Sequence, residues 1–381
     1  MNHETNSMNS LAQLKTVTVA TLTKQVRLFA ACIGVTALSF PSAVAQTAGS
    51  ELPTGFAGIS IAAGSGTAKK TTLVSVPLLE DLPTSFTGSK TGRITGVTSN
   101  TITVAGAGWT AGALSAPSAP YLIEITSGAA QGRFLLISTG TANTADTVTI
   151  DATEMIRVGD LTAMGIAAGS TAGDTFRIWP GDTLSSFFGT PETTGIQGGA
   201  SAGAADTVVM SINGSSTTYF YNTAVTPARW SRVGPGSPDA SNVPIPPYAG
   251  VQYARLGTTP LEFTVVGRMP VGVRKVAVKN SGTTLLSPYW PVRQTLSALG
   301  LHNLAGWTSA SSSSSADTVT LTVNGSASSY FHDGSNWRRV GLGSSIANDT
   351  VVAAGTSVLI NKRGNIPGFV TYQHTAPYSF Q

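Results

Sequence analysis

Two sixteen-residue segments of this chain are nearly identical, and this repeat constrains the fold more than any other feature. Residues 205–220 read ADTVVMSINGSSTTYF and residues 316–331 read ADTVTLTVNGSASSYF, with nine identical positions. In each copy, apolar and small polar residues alternate up to an Asn-Gly pair. Asn-Gly is the strongest short signal for a β-hairpin, because both turn residues must tolerate a positive φ. The repeat therefore predicts two equivalent hairpins.

A two-residue turn also fixes which residues of the two strands face each other. In the first copy this register places Tyr219 on the apolar side of the hairpin, and in the second copy it does the same for Tyr330. The cross-strand pairs that we predict are Ile212–Ser215, Met210–Thr217, Val208–Tyr219 and Val319–Tyr330.

The repeat extends beyond the hairpin in both directions. The dipeptide Trp179-Pro180 recurs as Trp290-Pro291, at the same spacing that separates Asp206 from Asp317. Downstream of the hairpin, Trp230 matches Trp337 at a shorter spacing, which places the deletions in loops, where a β scaffold tolerates them. Two copies are too few for a solenoid or a propeller, so a tandem or pseudo-twofold pair of β domains is predicted.

Upstream of the repeat, short alternating strands and tight turns continue from Thr71. At least five strands are predicted there and no helix longer than two turns. Strands at close spacing with turn signals between them favour sandwiches or small barrels. The predicted fold class is all-β, with two or three small antiparallel sandwich-like or barrel-like units. The predicted segments are 1–45 (signal peptide), 46–70 (flexible lead-in or one marginal strand), 71–178 (N-terminal β domain), 179–289 (repeat 1) and 290–381 (repeat 2).

The first 45 residues have the pattern of an export signal. Basic residues come first, residues 28–40 form an apolar run, and Ala43-Val44-Ala45 is a small-x-small cleavage site. The run is too short to span a bilayer, so no stable membrane span is expected. We therefore expect cleavage after Ala45 and a secreted protein, located outside the cell or in the cell envelope.

Composition narrows the classes of function. The one cysteine, Cys32, lies in the signal, so the mature chain has no disulfide and no thiol chemistry. Without the charged residues of the signal the net charge is only +2, and a nucleic-acid partner is not expected. Charged residues make up 10% of the chain, so little charge opposes close packing of its strands against other copies of itself or against extracellular polysaccharide.

Four stretches of the N-terminal half resemble a family of secreted, β-rich bacterial proteins that has no assigned function. The resemblance covers roughly residues 71–180 and implies a secreted location and a β fold. It transfers no active-site residues, because none is defined for the family. The stretches are SVPL (75–78), GRITGVTSNTITVAGAGWTAG (92–112), PYLIEITSGAAQGRFLLIS (120–138) and GDTFRIWPGDTLSSFFG (173–189).

Catalytic and metal chemistry has little support in the sequence. Residues 199–203 (GASAG) have the spacing of a serine-hydrolase elbow around Ser201, but they lie in a spacer of small residues. His302, His332 and His374 lack metal-ligand spacing, and the residue at position 332 is a tyrosine, Tyr221, in the other copy. No catalytic residue, no metal site and no cofactor are predicted.

Tryptophan side chains offer the one binding chemistry that the composition permits. Exposed indole rings on a β-sheet could stack on sugars, and Trp109, Trp230 and Trp337 are the candidates for such stacking. Their repeated frames favour the competing interpretation, in which they anchor a core.

Taken together, these features lead us to expect a non-enzymatic structural, surface or matrix protein that acts through self-association or cell-surface contact. A carbohydrate-binding β module is the alternative. An outer-membrane β-barrel and a serine hydrolase are less favoured.

Overall fold

The structure is a computed structural model that describes residues 52–212, 215–323, 325–343 and 345–380. Nearly all regular structure in this part of the chain is β, in antiparallel sheets of two to five strands, and none of these sheets closes into a barrel. The predicted all-β class with small antiparallel sheets is confirmed. The predicted signal peptide and the turn residues 213–214 and 324 lie outside the described residues.

The elements are numbered in chain order. The first two strands are β1 (Thr54–Ile61) and β2 (Lys70–Ser75). Seven strands and one helix follow: β3 (Thr91–Arg93), β4 (Gly96–Val97), β5 (Thr101–Thr103), β6 (Tyr121–Ile125), β7 (Phe134–Leu136), β8 (Thr147–Thr149), α1 (Ala152–Val158) and β9 (Thr175–Pro180). Next come β10 (Asp182–Thr183), α2 (Leu184–Phe188), α3 (Pro191–Thr194), β11 (Thr207–Ile212), β12 (Ser215–Asn222), β13 (Arg229–Arg232), β14 (Pro244–Ile245), β15 (Gly250–Arg255) and β16 (Leu261–Arg268). The last strands are β17 (Val273–Lys279), β18 (Ser281–Leu286), β19 (Gln294–Thr295), β20 (Thr318–Val323), β21 (Ser326–His332), β22 (Trp337–Arg339), β23 (Val351–Val352), β24 (Val358–Arg363) and β25 (Phe369–Thr375). Single 3-10 turns lie at Ala113–Ser115 and Leu301–Asn303.

The same set of sheets occurs twice. One five-stranded sheet has the order β13-β12-β11-β15-β2, and the other has the matching order β22-β21-β20-β24-β18. The ribbon β1–β16 corresponds to β17–β25, and the short ribbon β10–β14 corresponds to β19–β23. We call β1, β2 and β10–β16 copy 1, and β17–β25 copy 2. Strands β3–β9 and helix α1 form an inserted domain that interrupts copy 1 between β2 and β10.

The hairpin register agrees with the prediction from the sequence. In copy 1 the pairs are Ile212–Ser215, Met210–Thr217 and Val208–Tyr219, and in copy 2 Val319 pairs with Tyr330. Alternation and an Asn-Gly turn were therefore enough to specify this part of the fold.

Strand pairing crosses the predicted domain boundaries. The segment 46–70, predicted as a flexible lead-in or one marginal strand, contains the strand β1, which pairs with β16 along its whole length. All of strand β2 except Lys70 falls within the predicted N-terminal domain. This strand pairs with β15 of the predicted repeat 1. Strands β17 and β18, placed by prediction in repeat 1, pair with β25 and β24. Hydrogen bonds between strands far apart in the chain leave no local signal, and this is why the boundaries drawn from local patterns differ.

A short sequence match nevertheless shows that β2 belongs to copy 1. Residues 71–75 of β2 read TTLVS and residues 283–287 read TTLLS. The strand register aligns the two segments, because Val74 pairs with Val251 and Leu286 pairs with the equivalent residue Val358. This short match identifies β2 as a displaced part of copy 1.

The two copies meet around an approximate twofold axis. Ser75 N–H of copy 1 donates to Gly355 O at 2.8 Å, and the equivalent Ser287 N–H of copy 2 donates to Tyr248 O at 3.1 Å. Gly355 and Tyr248 are themselves equivalent positions. Each copy thus offers the same elements to the other, as in an isologous dimer interface.

A buried ion pair ties the inserted domain to copy 2. Glu124 of β6 and Arg274 of β17 form this pair, and both are almost inaccessible to solvent. Trp179 Nε1 donates to the other carboxylate oxygen at 2.7 Å. The Arg274 guanidinium also lies 4.8 Å from the centre of the Phe134 ring.

Candidate functional site

All three tryptophans predicted to bind sugars are core residues. Trp109 is 2% exposed, and Trp230 and Trp337 are each 1% exposed. The indole nitrogens of the first two donate to backbone carbonyls, Trp109 to Ser89 O at 2.9 Å and Trp230 to Gly189 O at 2.8 Å. A ring whose faces are packed against other side chains offers no surface to a sugar. We therefore do not propose stacking through these residues, which anchor the core of the inserted domain, copy 1 and copy 2 respectively.

Asp206, the aspartate that precedes strand β11, has a structural role. Asp206, 1% exposed, accepts hydrogen bonds from Gln197 N–H and Leu256 N–H and pairs with Arg255 Nη1 at 2.6 Å. Tyr253 also donates its hydroxyl to Asp206, at 2.7 Å. Burial, followed by the charge of this carboxylate, raises the pKa of Tyr253 well above its ordinary value. Asp206 therefore holds the loop that follows β15 against the start of β11.

Two of the histidines stack on each other in the core of copy 2. The rings of His302 and His332 are 4.4 Å apart and nearly parallel, and both contact the Trp337 ring edge to face. Burial lowers the pKa of His332, and the neighbouring His302 lowers it further. Burial also lowers the pKa of His302. In the part of the chain that the structure describes, no group of three potential metal ligands comes together.

We expect this histidine pair to make stability depend on pH. Both folded-state pKa values lie below the ordinary 6.5, so the unfolded chain binds more protons than the folded chain as the pH falls. The contribution of these histidines to stability is therefore fully present above pH 6.5 and decreases as the pH falls below it. Replacing His332 with tyrosine, the residue of copy 1, should make the loss of unfolding free energy between pH 7 and pH 5 smaller than it is in the wild type. Urea denaturation at both pH values tests this, and an unchanged difference in the variant would contradict it.

Ser201 does not lie on a nucleophile elbow. It is an exposed turn residue between α3 and β11, and its carbonyl accepts a hydrogen bond from Ala204 N–H. An elbow requires a strand before the serine and a helix after it. The order here is the reverse, a helix followed by a strand.

Two clefts lie along the interface between the copies, one on each side of the approximate twofold axis. The first cleft has a volume of about 480 Å³ and lies between the β11–β12 hairpin and β15 of copy 1 and strand β18 of copy 2. The second cleft, of about 470 Å³, is bounded by the equivalent elements, β20 of copy 2 and β2 of copy 1. Only the first cleft has an additional wall, which the inserted domain supplies.

The outward side of the β1–β16 ribbon, which we call the open ribbon, carries the most exposed large apolar side chain among the described residues. Phe56 is 79% exposed and its cross-strand partner Val266 is 58% exposed. Next to Phe56 on the same side is Gly58, and no atom lies within 4 Å of the position that a Cβ would occupy there. The open ribbon thus carries an exposed aromatic side chain beside a glycine with open space above it. Its outward residues are Thr54, Phe56, Gly58, Ser60, Glu262, Thr264, Val266 and Arg268.

The equivalent ribbon of copy 2 is different. Val273 occupies the position of Phe56 and is half-buried where Gly132 of the inserted domain approaches its backbone. Lys275, at the position of Gly58, donates its N–H to Gly132 O at 3.0 Å and its ammonium to Ala129 O at 2.7 Å. The inserted domain therefore contacts copy 2 along β17, whereas the open ribbon of copy 1 has its aromatic residue in solvent.

Comparison with known proteins gives no family assignment. No protein-family model matches the chain, and no curated protein is significantly similar to it. None of the helices in the described ranges is both long enough and apolar enough to cross a membrane.

The sequence analysis did not identify the open ribbon, because small residues separate its few apolar ones. The available signal was the alternation along β1, in which Phe56, Gly58 and Ser60 are exposed and Ala57, Ile59 and Ile61 are buried.

Proposed function

We propose that this chain is a secreted, non-enzymatic surface or matrix protein that acts by self-association through the open ribbon. The observation that carries the proposal is the Phe56–Val266 pair, an aromatic and a β-branched side chain that face each other across two strands and remain in solvent. Neighbouring apolar side chains left in solvent are a common feature of protein interaction sites. Secretion is inferred from the export pattern of residues 1–45.

A twofold arrangement lets the open ribbon pair with itself. When two such ribbons pack face to face, the Phe56 ring of one molecule can lie over Gly58 of the other, and the reverse contact forms at the same time. Burying one phenylalanine side chain contributes about 1.5–3 kcal/mol, and the symmetry supplies two. The mature chain carries almost no net charge, so electrostatic repulsion between copies is small.

Replacing Phe56 with serine should weaken self-association about a hundredfold to ten-thousandfold, because each interface loses two buried aromatic rings. Sedimentation velocity over a concentration series measures the dissociation constant directly. The matched control is Ile366→Ser, which removes an equally apolar, 67% exposed side chain from a loop outside the open ribbon. This control should associate like the wild type. Wild-type protein that stays monomeric throughout the series would overturn the proposal.

A further inference from the structure

The first cleft differs from its symmetry mate in the groups that line it. Tyr248 and Lys279 line the first cleft, and the equivalent positions in the second cleft are Gly355 and Ala62. The inserted domain adds Asp151, Glu154 and Arg157 to the first cleft only. The two clefts lie at equivalent positions and have nearly the same volume, so these residues are what distinguishes the first cleft.

The charges in the first cleft balance one another. Glu154 pairs with Arg157 at 2.9 Å and accepts the hydroxyl hydrogen bond of Tyr248. The Arg157 guanidinium also lies 4.0 Å over the Tyr248 ring. Asp151 accepts from Thr153 N–H at 2.8 Å, and Lys279 supplies the second positive charge. Two acids and two bases leave no net charge, so the field of the cleft favours neither an anion nor a cation.

Several neutral polar groups of the cleft have unused hydrogen-bonding capacity. The amides of Gln252 and Asn242 and the hydroxyls of Thr139 and Thr283 line the cleft, and none of the four makes a side-chain hydrogen bond within the described residues. Such groups both donate and accept, unlike ammonium or carboxylate groups. Beside them lie apolar side chains, among them Leu285, Leu359 and the partly buried Phe369.

From this combination we infer that the first cleft binds a neutral oligosaccharide. Sugars carry hydroxyls that donate and accept, and apolar C–H faces that pack against side chains such as Phe369. The cleft supplies partners for both within a volume typical of small-ligand sites. Its amides and hydroxyls face the ligand hydroxyls, and the Glu154–Arg157 ion pair holds the wall in place. This site lies apart from the open ribbon and does not depend on self-association.

Isothermal titration calorimetry with neutral glucan and xylan oligosaccharides tests the inference, with oligogalacturonate and chitosan oligomers as the charged comparison. We expect the neutral oligosaccharides to bind more tightly than either charged class. Gln252→Leu removes one set of hydrogen bonds and should weaken binding about three- to tenfold. Thr283→Trp places an indole in the cleft from an exposed strand position and should abolish binding.

The pseudo-symmetry provides a matched control for the blocking variant. Thr71 is the copy 1 equivalent of Thr283, is also exposed, and does not line the first cleft. Thr71→Trp should bind like the wild type, and thermal unfolding should show that both variants are folded. The inference is overturned if no neutral oligosaccharide binds, if a charged class binds more tightly, or if the folded Thr283→Trp variant still binds. Failure of the Phe56→Ser experiment would leave this result unaffected.

Discussion

Asp206→Ala is expected to lower the free energy of unfolding by about 4 kcal/mol. The alanine variant leaves the buried Arg255 guanidinium without its counter-ion and removes the acceptor of Leu256 N–H, Gln197 N–H and the Tyr253 hydroxyl. Each buried donor left unpaired costs about 1–3 kcal/mol, and an unpaired buried charge costs more. Denaturant unfolding followed by tryptophan fluorescence measures the loss.

Asp146→Ala is the matched comparison for this prediction. Asp146 precedes β8 in the same Ala-Asp-Thr-Val sequence, but it is only half-buried and accepts one backbone hydrogen bond, from Ala107 N–H at 3.0 Å. We expect a loss of about 1 kcal/mol for this variant. Equal losses in the two variants would contradict the prediction, because the buried Asp206–Arg255 pair would then contribute no more to the free energy of unfolding than the half-buried Asp146.

The second large effect is expected at the ion pair between the inserted domain and copy 2. Arg274→Met should lower the free energy of unfolding by about 3–5 kcal/mol, because Glu124 is then buried without a positive partner. Arg274 is itself incompletely satisfied, since its Nε and Nη2 have no hydrogen-bond partner within the described part of the chain. The pair is therefore costly to break and contributes little net stability when intact.

The double variant Glu124→Leu with Arg274→Met distinguishes these two statements. Replacing both charges with apolar side chains of similar volume is often neutral or stabilising, so the double variant should recover at least half of the loss seen in Arg274→Met. Trp179 Nε1 loses its acceptor in the double variant, and this limits the recovery. Copy 1 supports the interpretation, because Ala57 occupies the position of Arg274 and the ribbon still forms. A double variant less stable than Arg274→Met would contradict it.

The sequence predicted the local parts of this fold and missed the long-range ones for a physical reason. The hairpin register followed from alternation and an Asn-Gly turn, which act between neighbouring residues. The pairing of β2 with β15 could not be predicted in this way, because β15 lies beyond the whole inserted domain and no residue near Lys70–Ser75 specifies this partner. The repeated frames of Trp230 and Trp337 favoured core anchors, yet burial itself depends on which sheets cover them. The first cleft could not be foreseen, since residues from the inserted domain, copy 1 and copy 2 meet to form it.

The interruption of copy 1 has a consequence for how the chain folds as it is synthesised. The inserted domain is continuous in sequence and can fold once its own strands have emerged, whereas the five-stranded sheet of copy 1 must wait for β15 to reach β2. Closing a long unstructured loop is slow and entropically costly. A folded inserted domain shortens that loop by fixing its two ends, β2 and β10, to one rigid body. By folding early, the inserted domain thus lowers the entropic cost of forming the five-stranded sheet of copy 1.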